Sequence, residues 1–168
     1  MKKIMIALLL TALYSQAAAQ WKSFDIGPYG EVAIPTGLVS GDFKHGLGGG
    51  VTADIRIVER WAATLSVGYM ELKGQHLGAY KVPDLGTIPL RAGVKYRASP
   101  FFYLKMDAGW AAYTGKSSGI NDYDGGAPLF SPGIGFRIKG LDLQAKYEIW
   151  IDDDVANRFI GLKMGWNF

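Results

Sequence analysis

The chain has 168 residues, no cysteine and a formal net charge of +3, with 49% hydrophobic residues, 13% aromatic residues and 23 glycines. This apolar content predicts one folded domain rather than a disordered chain, and the small, dispersed positive charge gives no basis for nucleic-acid binding. The lack of cysteine excludes a disulfide framework, a thiolate metal site and a cysteine nucleophile.

The N-terminal segment has the features of a cleaved export signal. Lys2 and Lys3 form a basic start, residues 4–13 are an apolar stretch, and residues 17–19 are alanines. The apolar stretch has the length of a signal-peptide core and is too short to span a bilayer. We therefore expect a signal peptide over residues 1–19 and a single mature domain over residues 20–168.

Eight segments after this signal alternate between apolar and polar residues with a period of two, the pattern of strands with one apolar face. None of the eight apolar faces carries a charged residue. Lipid explains that exclusion, because a charge facing the bilayer midplane costs about 2–4 kcal/mol. The predicted strands cover residues 24–35, 51–57, 61–69, 88–97, 102–110, 130–138, 141–149 and 160–168.

The connections between these segments alternate in length. Short turns are predicted at 58–60, 98–100 and 139–140, long loops at 36–47, 73–86 and 114–127, and an intermediate loop at 152–157. Short periplasmic turns and longer extracellular loops are typical of outer-membrane barrels. The predicted fold class is therefore all-β: an eight-stranded antiparallel up-and-down transmembrane β-barrel in a bacterial outer membrane. A soluble lipocalin-type barrel is the alternative, but it would expose a large apolar belt to water.

Aromatic residues gather near the ends of the predicted strands. Their amphipathic rings suit the level of the lipid headgroups. The predicted aromatic girdle contains Trp61, Tyr96, Phe102, Trp110 and Phe130.

The last strand resembles the C-terminal recognition strand of outer-membrane barrels, with Ile160, Leu162, Met164, Trp166 and Phe168 at alternate positions. Residues 88–96, 102–104 and 108–110 resemble the central hairpin of the small outer-membrane β-barrel family, to which the OmpA and OmpX barrels belong. The resemblance implies outer-membrane lipid and lipopolysaccharide as surroundings, the barrel-assembly machinery as a partner, and no cofactor. Because the chain stops at Phe168, we expect no peptidoglycan-binding domain of the kind that follows the OmpA barrel.

The interior of an eight-stranded barrel is just wide enough for its side chains to fill. Counting from the strand ends places three acids and three bases near mid-depth, where buried charge is tolerated only when it is paired. Arg91 and Asp107 lie symmetrically about the 98–100 turn, so we expect them to be cross-strand partners. A narrow ion path through the same groups is the alternative. The predicted ionic plug consists of Glu31, Asp54, Arg91, Asp107, Lys146 and Lys163.

The histidines and the glycine-rich segment do not form a recognisable catalytic or phosphate-binding motif. A lipid A deacylase needs a nucleophilic serine beside a histidine, whereas His45 and His76 both fall in predicted loops. Glycine-rich residues 46–50 precede a strand rather than a helix, so they are predicted to curve the barrel rim instead of binding phosphate. We therefore expect no enzymatic activity.

Acidic residues in the third and fourth predicted loops form a candidate weak divalent-cation site, because hard cations favour carboxylates. Solvated loop charge is the alternative. The sequence predicts a non-enzymatic barrel that contributes to envelope integrity or surface interaction through its loops. A narrow channel or passive transporter and a lipid A-modifying enzyme remain the alternatives. The acidic residues are Asp122, Asp124, Asp152, Asp153 and Asp154.

Overall fold

A computed structural model describes residues 24–77, 80–114, 125–152 and 155–168. Within these ranges the chain forms ten strands and one 3-10 helix, Gly37–Gly41. Among the described residues no helix is long and apolar enough to cross a membrane. The strands are β1 (Phe24–Thr36), β2 (Phe43–Val58), β3 (Trp61–Gly74), β4 (His76–Leu77), β5 (Tyr80–Lys81), β6 (Leu85–Arg97), β7 (Phe102–Tyr113), β8 (Gly126–Ile138), β9 (Leu141–Asp152) and β10 (Val155–Trp166).

Eight of these strands close into one barrel in the order β1-β10-β9-β8-β7-β6-β3-β2. Neighbours along the chain pair in antiparallel fashion, and β1 closes the ring against β10, with Tyr29 opposite Gly165 and Thr36 opposite Arg158. The strands β4 and β5 form a separate small hairpin between β3 and β6. The predicted eight-stranded antiparallel up-and-down barrel is confirmed.

Alternation along each strand separates the lumen from the outer face. In β1 the outward Ile26, Val32 and Ile34 are 38–47% exposed, whereas the inward Tyr29 and Glu31 are 6% and 5% exposed. Successive side chains of a strand point to opposite faces, so the apolar set faces outward together. The lumen therefore receives the polar set.

The strands extend further towards the long-loop end than the sequence pattern predicts. The strand β2 begins at Phe43 rather than near residue 51, and β10 begins at Val155 rather than near residue 160. The predicted loop at 36–47 is therefore reduced to residues 37–42, and the predicted loop at 152–157 to residues 153–154. A strand needs only about 9–11 residues to cross the bilayer. Beyond the lipid the outward face meets water and no longer has to be apolar, so the alternation ends while backbone pairing continues.

The long-loop end also contains both histidines and the glycine-rich segment. His45 lies in β2 and His76 in β4, so the prediction that both lie in loops is wrong. Residues 46–50 belong to the wall of β2 rather than to the rim. A Cβ at Gly50 or Gly68 would lie 2.9 or 2.5 Å from the Tyr29 hydroxyl oxygen, so these glycines make room for the Tyr29 side chain inside the barrel.

The short-turn end is built from tight connections. Lys139 and Gly140 have φ values of 46° and 90°, as in the two-residue type I′ turn that suits a twisted hairpin. Between β6 and β7, the Ser99 Oγ accepts hydrogen bonds from the backbone N–H groups of Phe101 (3.3 Å) and Phe102 (3.0 Å). These contacts help to set the registers of the β8–β9 and β6–β7 pairs, which place the lumen side chains of these four strands.

Candidate functional site

The centre of the lumen contains a buried tetrad of two acids and two bases. The Arg91 guanidinium donates from Nε (3.0 Å) and Nη2 (2.9 Å) to the two carboxylate oxygens of Glu148. The Lys146 Nζ lies 2.6 Å from Glu148 and 2.7 Å from Glu31, which also contacts Arg91 at 3.2 Å. Their side chains are only 2–3% exposed. The tetrad is electrically neutral and its members come from strands β1, β6 and β9, so it ties separate parts of the wall together.

A second ion-pair cluster lies at the short-turn end of the lumen. The Arg137 guanidinium contacts Asp142 at 2.6 Å, Asp54 at 2.7 Å and Asp25 at 2.9 Å. The Lys95 Nζ lies 2.5 Å from Asp54. With three carboxylates and two cations, this cluster carries one excess negative charge.

Between the two clusters lie Lys105, Asp107 and Lys163. The Lys105 Nζ is 3.0 Å from Asp107, which also accepts a hydrogen bond from the Thr64 hydroxyl at 2.9 Å. The Lys163 Nζ lies 3.8 Å from the centroid of the Tyr29 ring, a cation–π contact. This layer has one excess positive charge, which offsets the excess negative charge of the turn-end cluster.

The long-loop half of the lumen is filled by apolar rather than ionic side chains. Trp150 and Phe159 are 1% and 2% exposed, with ring centroids 4.8 Å apart. The Trp150 indole N–H donates to Glu148 at 2.7 Å, which joins this apolar cap to the tetrad. The purely polar plug predicted from the sequence is therefore only half of the filling. The cap consists of Ala33, Val39, Met70, Leu72, Leu85, Ala111, Ala127, Leu129, Trp150 and Phe159.

All six residues of the predicted plug are buried in the lumen. The predicted cross-strand pairing of Arg91 with Asp107 is wrong. Arg91 lies opposite Gly109, and Asp107 lies opposite Gly93. The prediction centred the hairpin on Ser99, whereas the paired strands are centred on Pro100. A shift of the centre by one residue moves cross-strand partners by two positions and keeps every side chain on its own face.

The prediction also missed half of the charged lumen. The six charged residues that the prediction omitted lie on the polar faces of the predicted strands. They were left out because the predicted plug was limited to residues near mid-depth. Among the residues that the structure describes, the lumen set has six bases and six acids, so these side chains are balanced in charge. The bases are Arg91, Lys95, Lys105, Arg137, Lys146 and Lys163, and the acids are Asp25, Glu31, Asp54, Asp107, Asp142 and Glu148.

The outer face carries the predicted girdle residues. At the short-turn end Trp61 packs against the half-buried Tyr96 with ring centroids 4.8 Å apart, and Phe102 packs against Phe136 at 5.0 Å. Towards the other end Trp110 and Phe130 are 48% and 40% exposed. The alternate residues of the last strand also face outward, with exposures of 45–71%: Ile160, Leu162, Met164, Trp166 and Phe168.

Several predicted features lie outside the described residues. These are the signal peptide at 1–19, Asp122 and Asp124, and Asp153 and Asp154. Asp152 ends β9, and its side chain is not described. Within the described ranges no group of three or more acidic, histidine or cysteine side chains is arranged to hold a metal ion.

A closed antiparallel barrel with an apolar outer belt and a filled, charge-balanced lumen defines a class of membrane-spanning proteins. The chain belongs to the outer membrane protein beta-barrel domain family, whose sequence profile matches residues 4–168. The protein is therefore an outer-membrane barrel of bacterial type. No curated protein matches the chain by sequence.

Solved structures of other barrels share this architecture. The N-terminal β-barrel domain of OprF from Pseudomonas aeruginosa is 15% identical, with a TM-score of 0.59 over 88% of this chain and 98% of that chain. Ail, the attachment invasion locus protein of Yersinia pestis, is 18% identical, with a TM-score of 0.55 over 87% and 97%. OprG from Pseudomonas aeruginosa is 11% identical, with a TM-score of 0.56 over 88% and 96%. At these identities the similarity shows the fold alone.

Proposed function

We propose that the protein is a sealed, non-conducting and non-enzymatic barrel that contributes to envelope integrity or surface contact through its long-loop end. The observation that carries this proposal is the filling of the lumen by two different seals in series. Charged side chains close the half nearer the short turns, and the apolar cap closes the half nearer the long loops.

Each seal opposes ion passage for its own reason. The tetrad is closed by direct ion pairs at 2.6–3.2 Å, so no hydrated ion passes without breaking them. An apolar constriction excludes ions by dewetting. A lumen cavity lined by Thr52, Lys105 and Gln144 has a volume of only about 10 Å³, about the room for one water molecule.

The described part of the long-loop end is held together by hydrogen bonds and an ion pair. The backbone N–H of Gln75 donates to the carbonyl of Asp42 at 2.7 Å, which joins the base of the small hairpin to the β1–β2 connection. The Asp84 carboxylate accepts from the Gly74 N–H at 2.9 Å and contacts Lys73 at 3.0 Å. A rigid wall that presents an ordered loop surface suits recognition, because binding then costs little ordering entropy.

Structural neighbours agree with a surface role without defining a partner. Ail is described as an attachment invasion locus protein, and one of its structures contains the heparin analogue sucrose octasulfate. NspA is described as a neisserial surface protein and gives a TM-score of 0.55. From these descriptions we apply to the present chain only the general role of contact at the cell surface.

Single-channel recording in planar bilayers tests the seal. The folded wild-type barrel is expected to show no steady conductance. A variant that weakens both seals, Arg91→Ala/Trp150→Ala/Phe159→Ala, is the positive control and is expected to conduct more than the wild type once its folding is verified by heat-modifiable migration. Steady wild-type conductance that changes with Arg91 substitution would instead favour the channel alternative.

Loop exchange tests the surface role. Cells lacking the protein are complemented with the wild type or with a variant whose residues 75–84 are replaced by a short Gly-Ser turn. The variant is expected to insert normally but to lose detergent resistance or adherence restored by the wild type. A variant that restores both fully would contradict a role for this loop. Altered lipid A in the mass spectrum of cells carrying the wild type would favour the enzymatic alternative.

A further inference from the structure

Two unassigned cavities meet at the short-turn end of the barrel. The first is an apolar groove of about 860 Å³ on the lipid-facing wall, within the range of about 300–1,000 Å³ that is typical of ligand sites. The second, here named the polar cavity, measures about 310 Å³, lies between the 98–101 turn and Lys139–Gly140, and has a mixed lining that includes four basic residues. Phe102 lines both cavities, so the groove and the polar cavity adjoin at this ring.

The groove has a small residue at its floor and bulky residues along its sides. Ala145 lies between Ile134 of β8 and Leu162 of β10 in the strand register. Its neighbours project further from the wall, which leaves an apolar channel with almost no polar surface. The side chains along it include Ile134, Phe136, Leu143, Leu162 and Met164.

The polar cavity contains two cations without an ion pair in the described ranges and one available hydroxyl donor. Of its four cations, Lys95 and Arg137 already contact carboxylates, whereas Arg97 and Lys139 are exposed and make no ion pair within the described ranges. The Ser99 Oγ accepts backbone hydrogen bonds, so its own O–H remains available to donate. Two cations and a hydroxyl at a membrane interface complement a phosphodiester.

We propose that this bipartite surface is a binding site for one anionic phospholipid of the periplasmic leaflet. The short turns of outer-membrane barrels lie on the periplasmic side, which places the polar cavity at the level of that leaflet's headgroups. The phosphate lies between Arg97, Lys139 and Ser99, and one acyl chain follows the groove over Ala145. This inference is independent of the proposed surface role, because it concerns the opposite end of the barrel.

Native mass spectrometry of the full-length protein, purified from membranes in an uncharged detergent, tests the site. Phosphatidylglycerol and phosphatidylcholine with identical acyl chains are titrated, and the first bound lipid is quantified. Phosphatidylglycerol is expected to bind at least tenfold more tightly. Each basic side chain near an anionic lipid surface raises affinity about fivefold, so Arg97→Gln/Lys139→Gln should lower phosphatidylglycerol binding about 25-fold.

Matched variants distinguish the contribution of the lipid headgroup to binding from that of the acyl chain. Lys44→Gln/Arg158→Gln removes the same charge from exposed residues at the long-loop end and should leave binding unchanged. Ala145→Phe fills the groove and should weaken binding of both lipids, whereas Ala92→Phe on the opposite wall should not. Equal affinity for the two lipids, or equal loss in the charge control, would overturn the proposal. Competition by glycerol phosphate as effective as by the lipid would also overturn it, because the site would then be a pocket for a free anion.

Discussion

Replacing Glu148 by glutamine is the sharpest test of the ionic tetrad. The carboxylate accepts from Arg91 at 3.0 and 2.9 Å, from Lys146 at 2.6 Å and from the Trp150 indole at 2.7 Å. Glutamine keeps the shape but offers one acceptor oxygen and no charge. Two cations then share the single carboxylate of Glu31.

The expected cost follows from leaving a charge buried without compensation. Removing one partner of a buried ion pair costs about 3–5 kcal/mol. Because glutamine retains some hydrogen bonding, we expect the free energy of unfolding to fall by about 3 kcal/mol. Urea titration in lipid vesicles, followed by tryptophan fluorescence and heat-modifiable migration, measures this change.

A compensating variant shows whether charge is the cause. Glu148→Gln/Lys146→Met restores neutrality, because Arg91 and Glu31 then remain as one pair at 3.2 Å. The double variant should be more stable than Glu148→Gln. A single variant within about 1 kcal/mol of the wild type, or a double variant with additive losses, would refute the reasoning.

Three further predictions follow from the same contacts and use the same vesicle assays. Asp107→Ala should be less destabilising than Glu148→Ala, because the polar contacts of Asp107 within the described ranges are those with Lys105 and the Thr64 hydroxyl, whereas Glu148 accepts from Arg91, Lys146 and Trp150. An equal or larger urea-midpoint shift would contradict this. Trp150→Phe keeps a ring but removes the 2.7 Å donor to Glu148, so stability should fall by about 1.5–3 kcal/mol, and an unchanged midpoint would exclude a role for that hydrogen bond. Phe168→Ser should slow insertion into vesicles that contain the assembly machinery. The control Phe101→Ser removes a 52% exposed ring at the same end and should not slow insertion. Equal insertion rates for the two variants would count against the last strand as the assembly signal.

The membrane-embedded part of the fold was predictable because lipid imposes a strict rule on it. Every outward position in the predicted strands had to be uncharged, and the alternation of β1 and β7 shows this directly in the sequence. Beyond the lipid that rule no longer applies. The extension of β2 back to Phe43 and of β10 back to Val155 therefore left no periodic signal.

The charged character of the lumen could be predicted from the sequence, but the ion pairs between its side chains could not. The alternation placed Glu148 and Lys146 on the inward face, yet the contacts of Glu148 with Arg91 and of Lys146 with Glu31 join strands that are far apart in sequence. Such pairs depend on barrel closure and strand stagger, which local patterns do not contain. The apolar cap was missed for a related reason. Trp150 and Phe159 lie just outside the predicted strands 141–149 and 160–168, where an inward apolar residue cannot be distinguished from a loop residue by alternation alone.

Two buried lysines provide a test of how the lumen uses its charges. Lys146 contacts two carboxylates at 2.6 and 2.7 Å, whereas Lys163 has no ion pair within the described ranges and lies against the Tyr29 ring. Lys146→Met leaves two acids with one cation and should cost about 3–5 kcal/mol. Lys163→Met loses a cation–π contact of about 2 kcal/mol but also removes the cost of desolvating an ammonium group, so the net change should stay below about 1 kcal/mol. The substitutions are chemically identical, so the difference between their urea midpoints compares the two ion pairs of Lys146 with the cation–π contact of Lys163. Equal losses would mean that Lys163 compensates the excess negative charge of the turn-end cluster across the lumen, and that charge balance acts over the whole barrel rather than within each cluster.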